Sequence, residues 1–410
     1  MLPPAVGVCR FIYSTALRPS LRPISSTPKR SGPSPPQLER RPFFEYQHSI
    51  NWFPGHQNKA LRQLEKGLTH IDLVLEVRDA RIPFSSTNPQ FDQVLGARDR
   101  IIVFNKTDLA NPRTKQNIIA AFKKWSPSSN LLFTCAHQDR DIKAIIRIAL
   151  DKVKMWPERY PYLTMVVVGL PNVGKSTLIN ALRRIGVHKG KATQVGPYAG
   201  VTQAIQTRIK IHEDPNVYLI DTPGIFSPKI VNPIQGLRIA LTGATKDRLT
   251  EEQHVADYLL FRLNWGSSQD RYVYALGLPG PTDDINIVLN HIARTRRLLI
   301  DTRPQNLSLM VNASNGPIEK VDRPAPRIGW ERDYLAWTAS DSMRYDHTRA
   351  AQYMIRLFRE GQLGRLTLDE CDLEAIDQWF NSEASNRVYK DIVHDRDQKY
   401  ARESREKARE

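Results

Sequence analysis

Cysteine is scarce: Cys9, Cys135 and Cys371 are the three in 410 residues. So few thiols build neither a disulfide framework nor a four-cysteine zinc site, and the fold is expected to draw nothing from disulfides. No apolar run approaches the ~20 residues that a helix needs to cross a bilayer, so the chain is expected to be soluble or peripheral to a membrane. Acidic residues are missing from the first 38 positions, which hold five basic residues (Arg10, Arg18, Arg22, Lys29, Arg30) and eight serines and threonines. An acid-free, arginine- and hydroxyl-rich start has the composition of an organelle import presequence, the alternative being an ordinary basic tail. No internal repeat is visible, which excludes a repeat architecture.

What the chain has in excess is positive charge. The formal net charge is +16, and removing the five leading cations still leaves +11. This favours a polyanionic partner, nucleic acid or an anionic membrane surface. The hydrophobic fraction of 40% is ample for packed cores. The length suggests two folded units plus tails.

Residues 1–42 read as presequence and Pro/Ser/Arg-rich linker, with order beginning near Phe43. From 43 to 232, short apolar runs alternate with helical patterns: strands at Ile71–Val77, Arg100–Phe104, Leu131–Thr134, Thr164–Val168 and Val217–Ile220, and helices at Ile142–Val153 and Thr177–Arg184. That alternation predicts a parallel sheet covered on both faces. From 233 to 385 long helical patterns dominate (Thr250–Leu263, Ile285–Leu299, His347–Arg359), with an irregular proline-rich insertion, and 386–410 is a mixed-charge tail.

The chemistry begins at Gly169–Ser176 (GLPNVGKS), which matches the phosphate loop G-x-x-x-x-G-K-S between a strand and a helix. Glycines let backbone N–H groups wrap phosphates, and the helix N-terminus adds a favourable dipole. Asn172, Val173, Gly174 and Thr177 complete the cradle, Lys175 reaches the β- and γ-phosphates, and the Ser176 hydroxyl ligates Mg2+. Base choice comes from Asn105-Lys106-Thr107-Asp108, directly after a strand. The Asp108 carboxylate is suited to accept from guanine N1–H and the exocyclic amine, a donor pair that adenine lacks. Asp221-Thr222-Pro223-Gly224 supplies a carboxylate for the Mg2+ shell and an amide at Gly224 that senses the γ-phosphate. Thr202 is the candidate mobile threonine that completes the Mg2+ shell, with Thr193 and Thr207 nearby. Thr134-Cys135-Ala136-His137 stands where a second guanine loop is expected, Cys135 and Ala136 offering backbone contacts.

The guanine motifs precede the phosphate loop, which precedes Thr202 and the D-T-P-G motif. The expected fold is therefore α/β, a P-loop NTPase fold with circularly permuted G motifs (G4-G5-G1-G2-G3) plus a mainly helical C-terminal domain. Joining old termini and reopening the chain elsewhere preserves such a sheet, because domain termini lie at the surface. Permutation also feeds the γ-phosphate-sensing loop straight into the helical region, so nucleotide state is expected to reposition that region.

These motifs, with Asn51–His56 (NWFPGH), Asp79–Pro89 (DARIPFSSTNP), Gly236–Asp247 (GLRIALTGATKD) and Leu363–Asp369 (LGRLTLD), resemble the circularly permuted ribosome-assembly GTPases of the YlqF/RbgA type, most closely their mitochondrial members. The resemblance spans nearly the whole expected ordered chain; the segment around 302–345 looks longer than the family's usual form. It implies a mitochondrial GTPase of the matrix, peripheral to the inner membrane at most, that hydrolyses GTP and assists assembly of the large ribosomal subunit through contact with its rRNA. The alternative is a GTP-gated binding module with little hydrolysis of its own, supported by Ile225, which occupies the position where signalling GTPases carry a water-orienting Gln. By resemblance, His56 takes over that catalytic role beside Lys175 and Gly224, and Asn172 helps to bind an activating K+. Candidate rRNA contacts are Lys246, Arg248, Arg294–Arg297 and Arg365; Arg78 and Arg81 are equally candidates for internal ion pairs.

Overall fold

The computed structural model describes residues 40–46, 71–88, 95, 98–127, 129–136, 138–158, 160–187, 208–222, 232–245, 251–265, 269–300, 331 and 344–382. All of these belong to one compact unit, residues 38–410.

A six-stranded sheet is built from β1 (Leu73–Asp79), β2 (Arg100–Asn105), β3 (Asn130–Phe133), β4 (Leu163–Val168), β5 (Ile209–His212) and β6 (Val217–Asp221) in the order β3-β2-β1-β4-β6-β5. Three of the four inner strands, β2, β1 and β4, are buried throughout, as the predominance of apolar residues in them requires of strands covered on both faces. All pairings are parallel except β5–β6. The expected purely parallel sheet is thus corrected at one edge. β5 alternates buried Ile209 and Ile211 with half-buried Lys210 and His212, as an edge strand with one apolar face does.

The chain runs outward from β1 through β2 to β3. It then returns through α2 (Asp139–Met155) to β4 beside β1, crosses to the far edge as β5 and turns back as β6 between β5 and β4. α2 and α3 (Lys175–Gly186) pack on one face of the sheet with Leu75, Val103 and Val167. On the opposite face Ile102 and Phe104 meet α1 (Thr114–Trp125) and α9 (Leu373–Asn381), where Phe122 and Phe380 lie edge to face at 5.2 Å.

The Asn232 side chain caps α4 (Pro233–Leu241) by accepting from the Ile234 amide, with Pro233 at the first helical position. α5 (Glu252–Trp265), α6 (Gln269–Leu276), α7 (Ile285–Thr295) and α8 (His347–Arg359) follow. Asp284, Asp346 and Asp372 cap α7, α8 and α9 in the same way. Leu237, Leu259, Ile292 and Phe358 of these helices belong to the same apolar cluster as Leu75 and Val167 of the sheet.

Candidate nucleotide site

The loops after β1 and β4 leave two adjacent parallel strands in opposite directions, and open α/β sheets bind ligands in the crevice beyond such a switch point. The phosphate loop enters it first. Gly169 has φ 148°, and a Cβ there would stand 2.3 Å from the Val77 carbonyl oxygen. Gly174 has φ 97°, and a Cβ there would stand 2.3 Å from Asn105 Nδ2. Only glycine allows these close approaches. Asn172, between them, is also left-handed at φ 56°. The loop runs directly into α3, whose first-turn N–H groups and dipole suit an anion.

The guanine motif is stitched onto this loop. Asn105 Nδ2 donates to the Val173 carbonyl at 2.9 Å, and Lys106 Nζ donates to the carbonyl of Asn172. Lys106 itself is left-handed at φ 61°. The Thr107 amide donates to the Thr134 carbonyl at 3.2 Å, and Thr134 Oγ1 to Asn105 Oδ1 at 3.2 Å, which joins the two expected guanine loops. Asp108 is exposed at the rim, Cys135 is buried and Ala136 half-buried.

On the phosphate side, Lys175 Nζ donates to the carbonyls of Gly169 at 3.2 Å and Leu170 at 2.8 Å. Burial pushes this ammonium down to about 8; Asp221 opposes the shift and Lys106 adds to it. Ser176 Oγ donates to Asp221 Oδ2 at 3.2 Å. Burial raises the Asp221 carboxyl against the pull of Lys175 and the Ser176 bond. Asp221 Oδ1 is buried and has no partner among the described residues. One hydroxyl and one carboxylate with an unsatisfied oxygen fit Mg2+, a hard cation that takes few protein oxygens beside water and phosphate. Thr177 is half-buried in the first turn of α3. His56, His137, Thr202 and Gly224 lie outside the described residues, as do Lys246 and Arg248.

Three contacts were not foreseen. The Asp79 carboxylate, at the end of β1, is 3.2 Å from Lys106 Nζ. Asn172 Nδ2 donates to the Gly243 carbonyl at 2.6 Å, in the turn that ends α4, and Arg359 of α8 closes that turn by donating to the carbonyls of Leu241 and Ala240. Asp369 accepts from the amides of Phe84 and Ser85, both at 2.8 Å, from the Ser85 hydroxyl and from Arg238 of α4 at 3.2 Å. The only signal for them in the sequence was that each lies in a stretch carrying the resemblance, D-A-R-I-P, G-A-T-K-D or L-T-L-D. Of the basic candidates, Arg78 and Arg81 are internal: Arg78 pairs with Glu76 at 2.7 Å and Arg81 with Asp79 at 2.8 Å, each only 1% exposed. Arg296, Arg297 and Arg365 are exposed.

Residues 164–291 match a family model described as 50S ribosome-binding GTPase. The match opens at β4, so the permuted guanine half lies ahead of it. Over 338 residues the chain is 36% identical to mitochondrial ribosome-associated GTPase 1 of Xenopus tropicalis, covering 81% of this chain and 98% of the relative. It is 31% identical to mitochondrial GTPase 1 of Schizosaccharomyces pombe, covering 81% and 93%. The structure is also similar to GNP-bound YlqF from T. maritima, with a TM-score of 0.46 and 22% identity over 77% of this chain and 99% of that one. A phosphate loop fastened to a guanine-reading loop in permuted order, with such identity over nearly the full length of the relatives, makes the chain a GTPase and a member of the mitochondrial ribosome-associated GTPase 1 family.

Proposed function

We propose that this GTPase assists assembly of the large mitochondrial ribosomal subunit on the matrix side, docking on the precursor with GTP bound and leaving after hydrolysis. The observation that carries this reading is the short path from nucleotide to helices. Asp221 ends β6, α4 begins at Pro233, and the turn after α4 accepts from Asn172 in the phosphate loop. A change at the phosphate loop thus has a route to the end of α4 through the Asn172–Gly243 bond. The relatives' names supply the ribosomal partner, and the net charge of +16 suits an rRNA surface.

Within the site, Lys175 and the Gly224 amide stabilise charge on the γ-phosphate, and His56 orients the attacking water in place of the Gln that Ile225 replaces. Ser176, Thr202 and Asp221 would hold Mg2+, which would supply positive charge against the phosphates. Asn172, by resemblance, would help to bind an activating K+ ion. Ile225 also favours a second reading, a GTP-gated binding module that barely turns over alone. Peripheral contact with the inner membrane is a separable property, decided by whether the protein sediments with ribosomal particles or with membranes after a salt wash.

The deciding measurement is GTP turnover in K+ buffer with and without mitochondrial large subunits. Strong stimulation by large but not small subunits is expected. Tight GTP binding with no stimulation overturns the assembly reading and leaves the gated module ahead, while loss of turnover in His56→Ala with nucleotide affinity intact identifies His56 as the water-orienting group.

A further inference from the structure

We infer that Asp79 is the positioning residue of the guanine loop: its carboxylate holds the Lys106 ammonium against the phosphate loop and thereby keeps the base-reading segment in place. The inference rests only on guanine-nucleotide binding and is independent of any ribosomal role.

Asp79 is the last residue of β1 and lies opposite Asn105 in the parallel register of β1 and β2. The next amide, of Ala80, donates to the Asn105 carbonyl at 2.8 Å. Asp79 is thus fixed by the sheet beside the residue that precedes Lys106. Its Oδ1 accepts from the amide and Nε of Arg81, both at 3.0 Å, and its Oδ2 from Arg81 Nη2 at 2.8 Å. This two-pronged pair already satisfies a buried carboxylate. The approach of Lys106 to Oδ2 at 3.2 Å is additional, and it crosses from one strand end to another.

Lys106 requires such a hold. Its backbone is left-handed, a conformation that costs a non-glycine residue on the order of 1 kcal/mol and survives only where the surroundings enforce it. The Lys106 carbonyl accepts from the Leu109 amide at 3.1 Å, closing the turn that displays Thr107 and Asp108. At the far end of the side chain the ammonium is shared between Asp79 and the Asn172 carbonyl. Burial presses on the Lys106 charge, and Arg81 and Arg359 are like charges nearby. Asp79 is the anion that faces it. Remove that anion and the ammonium is left between two guanidiniums, so the bond to Asn172 loosens and the guanine loop parts from the phosphate loop. Burial would raise the Asp79 carboxyl, but Arg81 and then Lys106 outweigh it and keep it ionised.

The pair also reaches the C-terminal region. The Leu368 amide donates to the Arg81 carbonyl at 2.7 Å, and the Arg81 guanidinium lies 5.3 Å from the Phe358 ring centroid. The hold on Lys106 is therefore backed by the strap that follows α8.

The test is release of a fluorescent GDP from the full chain in four forms: wild type, Asp79→Asn, Lys106→Met and the double variant. Asp79→Asn is expected to speed release at least about tenfold in the wild-type background, the scale set by unpairing a buried charge. It is also expected to raise KM for GTP while kcat at saturation stays within about threefold. In the Lys106→Met background the same change is expected to do nothing further, because the group that Asp79 positions is gone. Equal acceleration in both backgrounds, or none in either, overturns the inference and leaves Asp79 as a plain partner of Arg81. Should Asp79→Asn not fold, Asp79→Glu displaces the carboxylate by one methylene while keeping charge for Arg81, and the same comparison across the two Lys106 backgrounds separates the two roles.

Discussion

At the scale of single residues, the site holds two lysines under pressure from burial, and Lys175 yields the plainer prediction. Its ammonium stands at about 8 in the folded chain, below the ordinary 10.5. The unfolded chain therefore binds the proton more readily, and the burial cost is fully present below pH 8 and relieved as pH rises through 8. Phosphates arriving beside Nζ restore the charged form, so nucleotide binding takes up a proton near pH 8. Any uptake by Lys106, also lowered, adds with the same sign. Affinity for GDP is expected to hold level to about pH 7 and to weaken above pH 8, by up to about tenfold per unit. Titration calorimetry at pH 8 in two buffers of different ionisation enthalpy measures the uptake, expected at about half a proton; zero uptake sinks the assignment of Lys175 to the phosphates.

At the scale of elements, the strap from Leu363 to Asp369 ties the C-terminal helices to the nucleotide half. Its Leu366 amide donates to the Leu109 carbonyl at 3.1 Å and its Thr367 hydroxyl accepts from Asn111 at 3.1 Å. Asp369, 4% exposed, gathers the loop after β1 and Arg238 of α4. Asp369→Ala takes the acceptor from two loop amides and leaves Arg238 with Glu370 at 3.9 Å as its carboxylate partner among the described residues, and is expected to cost roughly 3 kcal/mol of stability in urea unfolding. Adding Arg238→Met is expected to recover part of that loss, since the weakly paired charge goes with it. A loss in the double variant as large as the sum of the single ones would show that Asp369 acts through the loop amides alone.

Much of this frame was legible in the sequence. α8 begins and ends where the apolar spacing places it, between His347 and Arg359, because a strong amphipathic stripe follows an aspartate cap. Strands β1, β2 and β4 were legible because each, buried on both faces, carries a short and mostly apolar run. β5 was not, being four residues long with Lys210 and His212 on its open face. Asn105 and Lys106 stand out in the sequence as members of an N-K-x-D motif after a strand. Their bonds to Val173 and Asn172 join residues 68 and 66 positions apart, a separation that no local pattern encodes. Arg81 was legible as a candidate for an internal ion pair, but that its partner is Asp79 was not. The second partner of Asp79 follows from the parallel register of β1 and β2, which only the assembled sheet supplies.

At the scale of the whole molecule the excess positive charge needs a place to act. Arg78 and Arg81 are spent inside the protein, and Arg100 joins Arg78 on Glu76. The end of α7 is different. Arg296 lies 4.2 Å from the centre of the Tyr353 ring, which Arg356 of α8 also approaches at 5.2 Å, and Arg294 lies 5.8 Å from that of Tyr345. Arg296, Arg297, Arg344, Arg349 and Arg356 are exposed, and among the described residues Asp346 pairs with Arg349 and Glu360 with Arg356. Such a cluster has a bland explanation, since cations near a helix C-terminus offset its dipole by a few tenths of a kcal/mol. Binding to large subunits separates the two roles. If the cluster meets rRNA phosphates, affinity falls steeply with salt, and replacing Arg294, Arg296 and Arg297 by Ala lowers the slope of log K against log salt by about 2 to 3. A dipole role alone predicts a small loss of thermal stability and an unchanged slope. The salt series discriminates because counterion release counts phosphates neutralised, whatever the absolute affinity.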